Sequence, residues 1–148
     1  MNARFQVAMR SSICRRVLGV EIDRIALVRE AYDRFNNRDF DGLLDLLDAE
    51  VEMPDFVHGT WLHGKDCVER MFKVQAQLID HTIFIATIIE MGDAVLVAAN
   101  HHAYEPKGRP LGPGLSAVHR VTFRDGRIAK LEVTASGDIS QEVSERLT

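Results

Sequence analysis

The spacing of apolar residues changes once along this chain, and that change restricts the fold more than any other feature. Up to about residue 79 the apolar positions recur every three or four residues; beyond it they run through long β-branched stretches. A period near 3.6 marks helices with one buried stripe, whereas alternating or continuous runs mark strands. Ile22, Ile25, Val28, Tyr32 and Phe35 predict a helix over 22–37, with Asp23 as cap, Glu30 and Arg34 as a supporting pair, and Asn36, Asn37 and Arg38 as its break. Asp39 or Asp41 can cap a second, shorter helix carrying Leu43, Leu44, Leu46 and Leu47. Val68, Met71, Phe72, Gln75, Leu78 and Ile79 predict a third over 66–79.

Between the second and third helices, Val51, Met53, Asp55 and Val57 alternate with Glu52, Pro54, Phe56 and His58, as a short strand would; Pro54 confines it to an edge or a bulge. Gly59 to Gly64 reads as a loop. Residues 82–91 and 94–104 predict two strands divided by Gly92 and Asp93, and the proline- and glycine-rich stretch 106–114 predicts a long loop at a pocket rim. Strands over 115–124 and 127–135 follow, joined by Asp125 and Gly126, a strong hairpin signal. The tail 139–147 can form a helix. Helices followed by strands in one short chain predict an α+β fold, its helices packed on one side of an antiparallel sheet.

With 148 residues, 46% of them hydrophobic and 27% charged, the chain can bury the core of one domain, which excludes the disordered classes. A net charge of −4 without a basic stripe argues against nucleic acid as a partner, and no apolar run is long enough for a membrane helix. Two cysteines, Cys14 and Cys67, make no disulfide framework, so a cytoplasmic location is the expectation. Residues 1–20 hold Arg4, Arg10, Arg15 and Arg16 and no acid, which has the look of a transit peptide; we read them as a basic extension ahead of a domain over 21–148. Seven acids lie between Asp39 and Gly64 without one Lys or Arg, mostly as a solvated face.

Three helices, a short strand after the second, and a four-strand meander resemble the NTF2-like superfamily, above all its SnoaL-like and ketosteroid-isomerase-like branch. The residues that carry the likeness are the run Ala31–Gly42 (AYDRFNNRDFDG), the strand Val51–Asp55, Gly64 before the third helix, and His119–Ile128. The resemblance covers about residues 22–136. It implies a cone, three N-terminal helices packed on a curved antiparallel sheet around an apolar pocket, and it admits isomerases, cyclases, dehydratases, epoxide hydrolases and non-catalytic modules.

Within such a cone Asp55 is the candidate general base. It shares a strand face with Met53 and Val57, so it would be carried into an apolar hollow where desolvation favours the neutral acid; the resemblance implies the same role. His119 shares a face with Leu115, Ala117, Val121 and Phe123, and it sits where the isomerases carry a protonated aspartate. An imidazole can donate a hydrogen bond there or shuttle a proton. The position matching their oxyanion tyrosine is Ala31, with Tyr32 about 100° further round the helix.

His101 and His102 project to opposite faces of one strand. We assign Asn100, His102 and Tyr104 to the pocket, His102 as a third catalytic residue, and leave His101 with Val97, Ala99 and Ala103. Tyr32, Phe35, Met53, Val57, Trp61 and Phe72 are expected to line the pocket from the helical half, and Val121, Leu131 and Val133 from the sheet. His58 and His63 flank Trp61 without a third ligand at recognisable spacing, so no metal is expected. Cys67 reads as core, and no cofactor motif is present.

The expected activity is cofactor-independent acid–base chemistry (isomerisation, cyclisation or dehydration) on a hydrophobic carbonyl compound. A non-catalytic ligand-binding or dimerisation module is the alternative. Epoxide hydrolysis ranks below both, since Arg120 points away from His119. Both sheet faces are apolar, Val95, Val97 and Ala99 one way and Leu96 and Ala98 the other, so a homodimer is expected.

Overall fold

A computed structural model describes residues 23–55 and 59–134. The basic extension, the 139–147 tail, Val57 and His58 lie outside the described residues. The elements are α1 (Arg24–Asn36), α2 (Phe40–Asp45), β1 (Leu47–Pro54), β2 (Trp61–His63), α3 (Lys65–Leu78), β3 (Asp80–Met91), β4 (Ala94–Tyr104), β5 (Leu115–Arg124) and β6 (Arg127–Val133). Asp23 caps α1 by accepting from the Ala26 amide at 3.0 Å, and the Arg34 Nε donates to Glu30 at 2.9 Å one turn along. Asp39 caps α2 through the Gly42 amide at 3.0 Å. That helix is a single six-residue element, so two long helices carry the helical layer.

The six strands form one sheet in the order β2-β1-β6-β5-β4-β3. Its β6-β5-β4-β3 part is an antiparallel meander, while β1 runs parallel to β6, so the sheet is not wholly antiparallel. Irregularities between Ile85 and Thr87 and between Thr122 and Phe123 shift the register, as bulges that bend and twist a sheet do. The Asp125–Gly126 turn has positive φ at both residues, 50° and 80°, the twist that suits a two-residue hairpin.

Three local expectations are corrected. Leu47 begins β1 opposite Ile128 rather than extending the second helix, because the Ile128 amide already donates to the Leu46 carbonyl at 2.9 Å. The 59–64 loop contains a short strand, β2. Of the two alternatives for the Pro54 strand, the edge is corrected, since β1 lies inside the sheet order; β1 does carry an irregularity between Leu47 and Glu52, and Pro54 is its last residue, past the final β6 pairing.

Helices and sheet meet in a core of Val28, Phe35, Leu47, Val51, Val68, Phe72, Val95, Val97 and Val121. α3 buries Val68, Met71, Phe72 and Gln75 as its stripe requires, but Leu78 at its end is exposed. Among the described residues, no helix is long and apolar enough to cross a membrane.

Candidate active site

Between the helices and the inner face of the sheet lies a cavity of about 70 Å³. Ala31, Tyr32, Phe35, Leu43 and Phe72 close it from the helices; Leu47, Met53, Ile83, His119, Val121, Ile128 and Leu131 close it from the sheet. Ten of these twelve wall residues are apolar, and Tyr32 and His119 are the two that carry polar groups, which they turn to each other. Tyr32 is held there by α1, which Asn36 pins to β3. The Asn36 carboxamide donates to the Ile83 carbonyl and accepts from the Ile83 amide, both at 2.8 Å, one helical turn beyond Tyr32.

The Tyr32 hydroxyl is hydrogen-bonded to Nδ1 of His119. His119 Nε2 lies 2.9 Å from Nε2 of His101, and His101 Nδ1 lies 2.9 Å from Nε2 of His81. His81 Nδ1 faces the Gln75 carboxamide oxygen at 3.4 Å. Five side chains from α1, β5, β4, β3 and α3 thus form one hydrogen-bonded line across the concave side of the sheet. Burial lowers all three imidazoles, aided at each by a neighbouring histidine ring: His119 falls to about 3, His81 to about 4, and His101 falls as well. Burial also pushes the Tyr32 phenol well above its ordinary value. Near neutral pH the line is therefore uncharged.

A tridentate metal site needs three ring nitrogens converging on one point. Here His101 turns opposite nitrogens to its two neighbours, and among the described residues no group of three His, Cys, Asp or Glu side chains could hold a metal ion.

Tyr32, Phe35, Met53, Phe72, Val121 and Leu131 stand in the cavity wall with His119. Asn100, His102 and Tyr104 do not, and this corrects the face assigned to β4. Its pairing with β5 runs without a register shift, so the period-two alternation that buries Val95, Val97 and Ala99 continues to His101. His102 lies on the far face, edge-on to Phe84 with ring centroids 5.4 Å apart. The 106–114 loop meets that face rather than the cavity: a Cβ at Gly114 would come within 2.6 Å of the His102 ring.

Trp61 is 58% exposed under the Lys130 ammonium, not in the wall. Val133 pairs with His119 across the β5–β6 ladder but stops short of the cavity. Asp55 is buried immediately after β1, with its amide bonded to the Thr60 carbonyl, yet it is not a wall residue. Arg120 turns to the outer face and pairs with Glu132 at 3.0 Å.

Sequence reasoning missed His81 and gave His101 to the wrong side. Extending the alternation Ile83–Ile85 back by two residues would have placed His81 on the inner face.

Helices packed on a curved, largely antiparallel sheet around an apolar hollow are the NTF2-like architecture. The SnoaL-like domain model matches residues 28–131, and the chain belongs to that family. An NTF2-like protein of unknown function from Burkholderia pseudomallei is similar at 24% identity, over 79% of this chain and 92% of that one, with a TM-score of 0.67. TerC, crystallised with polyporic acid, is 23% identical over 82% and 97% of the two chains, with a TM-score of 0.66. A protein from Catenulispora acidiphila with a ketosteroid isomerase-like fold, in complex with trimethylamine, is 14% identical over 79% and 88%, with a TM-score of 0.65. Comparison with curated proteins finds no match.

Proposed function

We propose that this chain is a cofactor-independent acid–base enzyme acting on a small hydrophobic carbonyl compound. The observation that carries the reading is the uncharged Tyr32–His119 hydrogen bond, made by two residues of an otherwise apolar wall. A proton leaves the carbon beside the substrate carbonyl for the Tyr32 oxygen as the phenolic proton passes to His119 Nδ1. The C–H electron pair becomes the enolate, and the reverse transfer returns the proton to the same or another carbon. The low dielectric around the pair strengthens each hydrogen bond made in that step.

Volume narrows the substrate. A cavity of about 150 Å³ is known to bind benzene, and this one holds about 70 Å³, so a compact ketone or aldehyde fits better than a polycycle. Asp55, buried but outside the wall, keeps its proposed role as a base only if the ligand reaches past Met53.

The second reading, a non-catalytic binding module, is favoured by that small apolar volume and by the ligand-bound relatives. Deuterium uptake at the α-carbon of small acyclic ketones and aldehydes in heavy water, followed by NMR, separates the two. Uptake well above the buffer rate is expected, and Asp55→Asn should leave most of it in place. Saturable binding of those compounds with uptake at the buffer rate makes the chain a binding module.

The homodimer belongs to this proposal. On the outer face Phe84, Ile89 and Met91 of β3 are 54%, 45% and 57% exposed, beside Leu96 and Ala98 of β4. Exposed large apolar side chains gathered on one sheet face suit an interface between subunits. Light scattering at micromolar concentration should give twice the chain mass, and Phe84→Glu should shift it toward the monomer. A monomeric wild type defeats the expectation.

A further inference from the structure

The line of rings behind His119 bears on which of its nitrogens carries the proton. We infer that Gln75, His81 and His101 are positioning residues that hold His119 as its Nε2–H tautomer, with a bare Nδ1 turned toward the Tyr32 hydroxyl. The inference rests on the acid–base reading for its purpose, but its geometry stands apart from any substrate.

The argument runs from the anchored end. A carboxamide oxygen accepts and cannot donate, so the contact between the Gln75 oxygen and His81 at 3.4 Å requires a proton on His81 Nδ1. A neutral imidazole has one N–H and one bare nitrogen. His81 Nε2 is then bare and accepts from His101 Nδ1–H at 2.9 Å. His101 Nε2 is bare in turn and accepts from His119 Nε2–H at 2.9 Å. That leaves His119 Nδ1 as an acceptor, and the Tyr32 hydroxyl donates to it. Each donor in the row polarises the next, which strengthens the hydrogen bond that His119 Nδ1 accepts from Tyr32.

Reversing the row would place the proton on His119 Nδ1 and leave the pair with no base. A triad histidine in the wrong tautomer loses about 10⁴-fold in rate, which shows how much one ring orientation can govern. Gln75 is also a residue that packing alone does not call for. It occupies a position on the buried stripe of α3 after Val68, Met71 and Phe72, where an apolar side chain would pack without needing a partner. Its burial there is matched by the acceptor it offers His81.

Ring nitrogen shifts read by long-range ¹H–¹⁵N NMR on the whole protein at pH 7 report each tautomer directly, with no ligand present. The wild type should show His119 as the neutral Nε2–H form and His101 and His81 as Nδ1–H forms. Gln75→Leu should release the row into mixed tautomers and lower proton exchange on a ketone about 10-fold or more, whereas Gln75→Glu, which also accepts, should restore both. His119 carrying its proton on Nδ1 in the wild type overturns the inference even if Gln75→Leu fails to fold. Unchanged tautomers in a folded Gln75→Leu protein overturn it equally. The expected tautomers in a protein inert toward every ketone support the row while removing the acid–base reading.

Discussion

Tyr32→Phe is expected to lower α-proton exchange on a ketone by 10²–10⁴-fold, the range that a positioned acid–base group typically supplies. The substitution keeps the ring that packs against α1's neighbours and deletes only the hydroxyl. The fold should therefore survive, with a loss of about 1–3 kcal/mol for the acceptor left unpaired on His119. His119→Gln should cost a similar factor in rate, because the phenolic proton then has no imidazole to receive it. Since the two groups act as one unit, Tyr32→Phe with His119→Gln should be hardly slower than either alone. A Tyr32→Phe enzyme within about threefold of wild type would move the chemistry elsewhere in the cavity.

Acid should unfold the protein early. The ordinary histidine value is about 6.5, and burial holds His119 at about 3 and His81 at about 4 in the folded chain. Folded values lie below unfolded ones, so between these limits the unfolded chain binds more protons and stability rises with pH. The contribution is complete above pH 6.5 and is lost as pH falls toward the folded values. At pH 5 each of these two rings should have withdrawn about 2 kcal/mol, enough to lower Tm by on the order of 10 °C. His101 shifts the same way and adds to the effect. Among the described residues the groups near this row include Tyr32, Gln75, His102 on the far side of His101's strand, and Arg38, whose guanidinium donates to the His81 carbonyl at 2.7 Å and disfavours a second cation there. Melting curves between pH 7 and pH 5 decide the matter, since few carboxylates titrate in that interval. A flat Tm across it would mean that these rings are not buried as neutral groups.

Much of the architecture was legible because local chemistry settles it. Asp23 and Asp39 cap the helices they precede, and Asp125–Gly126 turns the hairpin with the positive φ that suits Gly and tolerates Asp. The stripe Val68, Met71, Phe72, Gln75 faces inward on α3 because a 3.6-residue period leaves it one buried side. Leu47, assigned to the second helix on its spacing, was misplaced for the opposite reason. That spacing suits a helix end or a strand start, and only the pairing with distant Ile128 puts Leu47 in β1, with Leu46 left as the cap of α2.

The site was legible in its parts but not in its assembly. His119, Tyr32, Met53, Phe72, Val121 and Leu131 could each be assigned to an inner face from their own alternation or stripe. His102 could not be told from His101, because both faces of β4 carry apolar residues and hydropathy favours neither.

By itself the amino-acid sequence determined the long helices, the meander strands, the turn at Asp125–Gly126 and which side chains share a face, since those follow from periods of 3.6 and 2 acting over a few neighbours. The tertiary structure alone decided which face of the sheet the helices cover, and so that His81, His101 and His119, on three separate strands, meet in one line ending at Tyr32. That outcome depends on the packing of α1 and α3 against distant strands, and no local period encodes it.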